Sequence, residues 1–286
     1  MTPPSPASTP MWHPFTPRGA ARAAGAPRWQ LWIALGLTAA LSVVSVLFFL
    51  NRCWQPVIVA AIDQLADGGQ LRQGILQPGG ASTDVTLASN RYLAIALNWT
   101  EAGPRDQVSD VRFILQIDRF LVCSLFGCTA FSYEGIGDRS VGRTETGAWW
   151  RAWRPFLFTA IALGHALYLI IAWWLLAIVY AWAIRLLAFY LDRDLDFTGA
   201  TRVAQAALIP GALWLTATVF LHAAGWLDLL SVLVVLVMHV PVGWLYAGLA
   251  CRSLPLRPDV LPANPFQAAE PSGEPRSQNP FSAKDE

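Results

Sequence analysis

The sequence predicts an α-helical integral membrane protein with four spans and a small α+β extracytoplasmic domain between spans 1 and 2. Three observations carry this. The chain is 55% hydrophobic and only 14% charged, where a soluble domain carries about 25% charged residues. Phe156–Ile184 contains no Asp, Glu, Lys or Arg; as a helix it would reach roughly 43 Å, more than the ~30 Å hydrocarbon core of a bilayer. The only sizeable hydrophilic stretch, 51–154, balances its arginines with acidic residues and lies between two apolar runs.

Residues 1–29 are rich in Pro, Ala, Ser and Thr, with Arg18, Arg22 and Arg28 their only charges. Such a stretch has too little apolar surface to fold alone, so a disordered tail is expected. Trp29 and Trp32 suit the aromatic belt at a membrane surface. The first span, 30–50, is filled by the apolar run Leu31–Leu50. Its long leader and the lack of a small-x-small site make it a signal anchor and not a cleaved signal peptide. Ala34, Thr38 and Ser42 have the spacing that lets another helix approach closely.

Within 51–154, Pro56–Ala66 has helical spacing and Asp67-Gly68-Gly69 supplies the turn that ends it. Tyr92–Leu97 and Arg112–Val122 read as strands, with Leu93, Ile95 and Leu97 on one face and Phe113, Leu115 and Ile117 on another. Trp149, Trp150 and Trp153, with Arg151 and Arg154, mark the start of the second span, 155–191, with Pro155 in its first turn. No residue beyond Gly164 interrupts this run, so one long helix is expected.

A polar connection follows, with Thr198 the expected N-cap of the next helix. The third span, 203–225, contains Pro210-Gly211, and the fourth, 229–250, contains Pro241 and Gly243. Neighbouring helices must satisfy the backbone groups these residues free. Trp226–Asp228 is a tight reversal, and 251–286 reads as a disordered Pro-rich tail.

With four spans, Arg18, Arg22, Arg28, Arg185, Arg193, Arg202, Arg252 and Arg257 fall on one side, and the positive-inside rule makes both termini cytoplasmic. A domain as long as 51–154 translocates regardless of its own charge. Lys284 is the only lysine, and Ala and Leu abound. That bias suggests a GC-rich bacterium, hence the bacterial inner (plasma) membrane. The near-neutral net charge of +1 gives no reason to expect a nucleic-acid partner; the lipid bilayer and other membrane proteins, or self-association, are expected.

Cys123 and Cys128 flank Ser-Leu-Phe-Gly, which reads as a hairpin tip with Gly127 at positive φ. Opposed residues of antiparallel strands lie within disulfide range. On an oxidising side of the membrane a structural disulfide is expected, with free buried thiols the alternative. Cys53 and Cys251 lie at opposite ends of spans and cannot pair.

His165, His222 and His239 lie within spans. His165 and His239 fall at a matched depth, roughly 14 Å from the outer helix ends. They either face each other across a polar site or make ordinary interhelical hydrogen bonds. No Asp, Glu, Lys or Arg lies inside the apolar run of a span, Arg185 falling beyond Ile184 at the cytoplasmic end of the second, which argues against an ion-coupled transporter. The stretch Gly135-Ile-Gly137-Asp-Arg-Ser-Val-Gly142 reads as a plain turn, and no hydrolase, kinase or metalloprotease pattern appears. An enzyme is not expected, and no cofactor or metal is assigned. Asn98-Trp-Thr100 is formally a glycosylation sequon, and Asn-Pro-Phe occurs twice, at 264–266 and 279–281.

An anchor span is followed by the strand pattern Ser109-Asp-Val-Arg-Phe-Ile-Leu-Gln-Ile-Asp118. After the long second span comes Phe197-Thr-Gly-Ala-Thr-Arg-Val-Ala-Gln-Ala-Ala-Leu-Ile-Pro210. This order, over about 30–250, resembles the uncharacterised bacterial membrane proteins related to the Yip-domain superfamily. The resemblance implies a scaffold or regulatory role, sometimes beside transport systems, and no catalytic residue.

The function expected is that of a non-catalytic scaffold or sensor whose outer domain contacts a ligand or partner. The alternative is an accessory subunit or small permease for an uncharged or lipid-like solute. The two readings differ in whether His165, His222 and His239 line a polar cavity or the spans close on small residues. A third reading, an enzyme with an intramembrane histidine metal site, requires bound metal.

Overall fold

The computed structural model describes residues 12–77, 79–80, 84–99 and 109–257. Thr100 of the sequon and both Asn-Pro-Phe repeats lie outside them. Among the described residues four helices are long and apolar enough to cross a membrane. The first is a rod of 36 residues, built from α2 (Arg28–Phe49), a π-helical turn (Leu50–Trp54) and α3 (Gln55–Asp63). The second, α4, runs Arg143–Tyr190 over 48 residues. The others are α5, Phe197–Ala223, with 27 residues, and α6, Leu229–Cys251, with 23.

The rod and α4 differ from their sequence-based bounds, 30–50 and 155–191. Pro56 offers no N–H to the carbonyl of Arg52 and crowds it. The helix answers with the wide turn at Leu50–Trp54 and then continues, which is how a π segment accommodates a local misfit. Similarly, α4 begins at Arg143 and takes Pro155 into its interior. The hydrophilic stretch 51–154 therefore gives up both ends to helix. The N-cap of α5 is Asp196, whose Oδ1 accepts the Gly199 N–H at 2.7 Å, in place of the expected Thr198.

The bundle centres on α5, which touches α2, α4 and α6. Its buried face is built of small residues, among them Ala200, Ala204, Ala206, Ala207 and Gly211. Small side chains let backbones approach, and that is what van der Waals packing between apolar helices requires. At the crossing with α6, a Cβ on Gly211 would lie 2.9 Å from the His239 carbonyl oxygen. Gly243 of α6 makes the matching concession to the Tyr180 ring, which is 1% exposed. The Tyr180 hydroxyl donates to the Val240 carbonyl at 3.0 Å, so α4 is tied to α6 at the same level.

The expected disordered tail 1–29 is corrected over its described part. Thr16 caps a short helix, α1 (Pro17–Arg22), by accepting the Gly19 N–H, with Pro17 at the first helical position. A 3-10 turn, Ala23–Gly25, follows. Ala20 and Ala23 are fully buried against the bundle. Arg202 Nη1 donates to the Ala24 carbonyl at 3.1 Å, and the Tyr246 hydroxyl to the Pro14 carbonyl at 2.6 Å. Trp12 packs partly buried against the same core, and α5 and α6 lend the rest of the stretch a surface that accepts alanine.

The start of the expected tail 251–286 is also fixed, through residue 257. Arg193 Nη1 donates to the Leu254 carbonyl at 2.6 Å, and the Arg257 N–H to the Asp192 carbonyl at 2.9 Å.

Between α3 and α4 lies the strand domain. One sheet holds β1 (Gln70–Arg72), β2 (Ile75–Gln77) and β8 (Arg139–Ser140), in the order β2-β1-β8. The other holds β3 (Val85–Ser89), β4 (Leu93–Leu97), β5 (Val111–Leu115), β6 (Arg119–Ser124) and β7 (Gly127–Ser132), in sequential order. Only β4 and β5 pair in parallel. The expected single strand Arg112–Val122 is two strands folded at Gln116–Asp118. The Ile117 carbonyl accepts the Leu76 N–H of the other sheet at 2.7 Å, a long-range bond that no local alternation reports.

Replacing Gly211 with valine should separate α5 from α6 and cost about 1–3 kcal/mol, the usual range for overpacking. The check is thermal unfolding of the purified protein, with Gly164→Val as the control, because nothing lies within 4 Å of a Cβ placed there.

Candidate functional site

The strand domain meets the bundle where β4 and β5 begin and α5 ends. Asn90 shapes the approach: its Oδ1 accepts the N–H groups of Tyr92 and Leu93 at 2.8 and 2.9 Å, and its Nδ2 donates to the Cys53 carbonyl at 2.6 Å. Arg91 then forks onto the α5–α6 turn. Nη1 donates to the Gly225 carbonyl at 2.9 Å and Nη2 to the Leu227 carbonyl at 2.6 Å. The Tyr92 hydroxyl donates to the His222 carbonyl at 2.6 Å. The backbone closes the end of α5 itself, with the Gly225 N–H on the His222 carbonyl at 2.9 Å; the domain adds a second donor there and supplies donors to the turn carbonyls of Gly225 and Leu227. Burial raises the Tyr92 pKa and keeps the hydroxyl a donor.

Phe49, Tyr92 and His222 form the apolar part of this junction. The His222 ring stacks on Phe49 at 5.5 Å between centroids and takes Tyr92 edge-on at 5.0 Å. Such pairs add about 0.5–1.5 kcal/mol beyond the area they bury. The π-helical turn lies directly after Phe49 and contains Cys53, whose thiol donates to the Ala223 carbonyl at 3.6 Å.

His222 also faces Asp110. Its Nδ1 lies 3.0 Å from the Leu227 carbonyl, which can only accept, so Nδ1 carries a proton. Its Nε2 lies 3.4 Å from Asp110 Oδ2. A proton between these two atoms makes the contact attractive, whether it resides on the ring or on the carboxyl; without it, two lone pairs oppose each other. Burial raises the Asp110 pKa, the nearby Asp228 pushes it the same way, and His222 and Arg91 pull it back.

The three span histidines have three separate environments, and no hydrogen bond or ring contact joins any two of them. His165 Nε2 lies 3.0 Å from Ser42 Oγ, joining α4 to the small-residue stripe of α2. His239 Nδ1 lies 2.5 Å from the Leu236 carbonyl of its own helix. Only His222 belongs to the junction. Its partner Asp110 is far away in sequence, so spacing alone did not join them. The local signal for the junction was Asn-Arg-Tyr at 90–92, an Asx turn presenting a cation and a phenol.

Cys123 and Cys128 are opposed on β6 and β7, with Cα atoms 4.0 Å apart, and form a disulfide. Cys53 and Cys251 are free and buried. Elsewhere in the domain a groove of about 90 Å³ is lined by Leu76, Val85, Leu97, Trp99, Leu115 and Val141, among others. Compared with protein-family models, curated proteins and solved structures, the chain matches none.

Two outcomes are expected. The folded protein holds the Asp110 proton more tightly than the unfolded chain, so this group's stabilisation is complete below the ordinary carboxylate pKa of about 3.9 and is lost as pH rises through the raised folded value. Unfolding measured across that range should show the loss in the native chain and not in Asp110→Asn. Tyr92→Phe, which removes one of the two donors to the His222 carbonyl, should cost about 0.5–1.5 kcal/mol and raise amide exchange in β4 and at the C-terminal end of α5.

Proposed function

We propose that this chain is a non-catalytic membrane sensor or scaffold. Its strand domain engages a ligand or partner, and the junction transmits that engagement to α5. The carrying observation is the clamp of Arg91 and Tyr92 on the carbonyls of His222, Gly225 and Leu227. A domain joined only by flexible loops could bind without informing the helices; one clamped to the turn that ends a central helix cannot shift without changing those contacts. Supporting this reading, α5 is closed by small residues and the three span histidines do not converge.

In the bacterial inner membrane, with Arg185, Arg193, Arg202, Arg252 and Arg257 on the cytoplasmic side, the domain would face the periplasm. The resemblance to Yip-related proteins suggests the same class of role.

A second reading, an accessory subunit or permease for a lipid-like solute, is favoured by one feature. A cleft of about 70 Å³ between α2, α4 and α5 is lined by Trp32, Leu35, Ile170, Trp173 and Trp174, with Gln205 a polar group in its wall. The size suits a segment of an acyl chain.

Crosslinking in intact membranes, followed by mild-detergent purification and mass spectrometry, tests the first reading. The expected result is a stoichiometric partner whose crosslinks map to the strand domain and weaken in Arg91→Ala. A chain that crosslinks to nothing, yet retains lipid in the Trp32–Trp173 cleft, would move the conclusion to the second.

A further inference from the structure

The strand register assigns the β6–β7 hairpin a direction. Residues 90–92 and 109–110 sit on the end of α5 and the α5–α6 turn, Tyr92 and Asp110 against His222 and Arg91 against Leu227. So β4 and β5 begin at the bundle and run away from it in parallel, Leu93 opposite Val111. In the antiparallel pair β5–β6, Arg112 lies opposite Cys123, so β6 returns toward the bundle. The tip Ser124–Gly127 then lies level with the first residues of β5, one or two strand spacings of about 4.8 Å to the side.

The chemistry of the hairpin follows the same axis. No charged residue occurs from Phe120 to Tyr133. The tip exposes Phe126 (85%) and Leu125 (55%), while the turn at the other end of β6 carries the exposed ion pair Asp118–Arg119. Trp226, on the α5–α6 turn, is 79% exposed and has the residue type found where a helix end meets the headgroup layer. The Cys123–Cys128 bond closes the hairpin one register pair behind the tip.

We propose that the tip Leu125-Phe126 inserts into the headgroup–acyl boundary of the leaflet on the domain's side, as a second, shallow membrane contact beside the spans. The occupant is the lipid surface because the tip is apolar and charge-free and stands level with the Trp226 turn. Shallow insertion of apolar side chains with polar flanks is how monotopic segments hold an interface. The disulfide keeps the tip from splaying as it enters. This inference rests on the four helices being membrane spans.

The test uses the full-length native chain in phosphatidylcholine nanodiscs doped with a phosphatidylcholine that carries a diazirine high in its acyl chain. After irradiation, adducts are mapped by mass spectrometry. The expected result is labelling of 124–127 within about threefold of that at Trp226, and none at the Ile117–Arg119 turn. Leu125→Ser with Phe126→Ser should lower tip labelling about tenfold while labelling of α2 and α6 is unchanged. Labelled helices with a bare tip would overturn the proposal alone; unlabelled helices would overturn the reading as spans. A tip that crosslinks to a second copy or another protein, and not to lipid, would also overturn it.

Discussion

The four long helices are unequal, and much of the architecture depends on that mismatch. A helix of 23 residues, α6, is about 35 Å long, whereas α4 with 48 is about 72 Å. The α2–α3 rod has 36 residues and likewise outruns α5 and α6. At the domain end two helices continue beyond a turn where the other two stop. The overhanging pair, α3 and the first turns of α4, meets where Gly147 lies beside Ile62. Of the two, α3 provides a wall for β3 and β4, and the α5–α6 turn provides a floor. The carbonyls of His222, Gly225 and Leu227 face the domain across that floor, and Arg91 and Tyr92 donate to them.

At the opposite end, short segments that cannot bury themselves are held by the bundle. Pro14–Gly25 and Arg252–Arg257 bring little apolar bulk beyond the buried Leu254, and each is fixed by side chains reaching its backbone from α5, α6 or the α4–α5 connection: Tyr246 to Pro14, Arg202 to Ala24, Arg193 to Leu254. In each case a long polar side chain donates to a carbonyl that has no helical partner. The same device appears at both ends of the molecule, with arginine and tyrosine as the donors.

The helices were legible in the sequence because hydrophobic length is a local property; their true ends were not. Pro56 and Pro155 look like boundaries, and both became interior because the helix beyond each could pack, α3 on the strands and the start of α4 on α3. Thr16-Pro17 is a local N-cap and N1 signal within a stretch otherwise read as tail, and composition outweighed it. The disulfide was legible from a short hairpin. The junction was not, since Asp110 and His222 share no local pattern, and the matched depth of His165 and His239 said nothing about which way either faced. Each found a nearer partner: Ser42 in one case, the Leu236 carbonyl in the other.

The way the strand domain joins its helices has a consequence for how such a chain can change over generations. Strand β8 returns to β1, and Gly142 comes back against Asp67, where a Cβ on the glycine would lie 3.4 Å from the aspartate Cα. The insertion thus leaves and re-enters the helical frame at almost one point. A cassette with neighbouring ends can be lengthened, replaced or deleted without moving the helices that carry it. The bundle would tolerate such an exchange at that doorway. The contacts that would have to be reinvented are those at the α5–α6 turn and along the π-helical turn and α3, so a new domain with an Asn-Arg-Tyr-like turn in the right place could inherit part of the old connection.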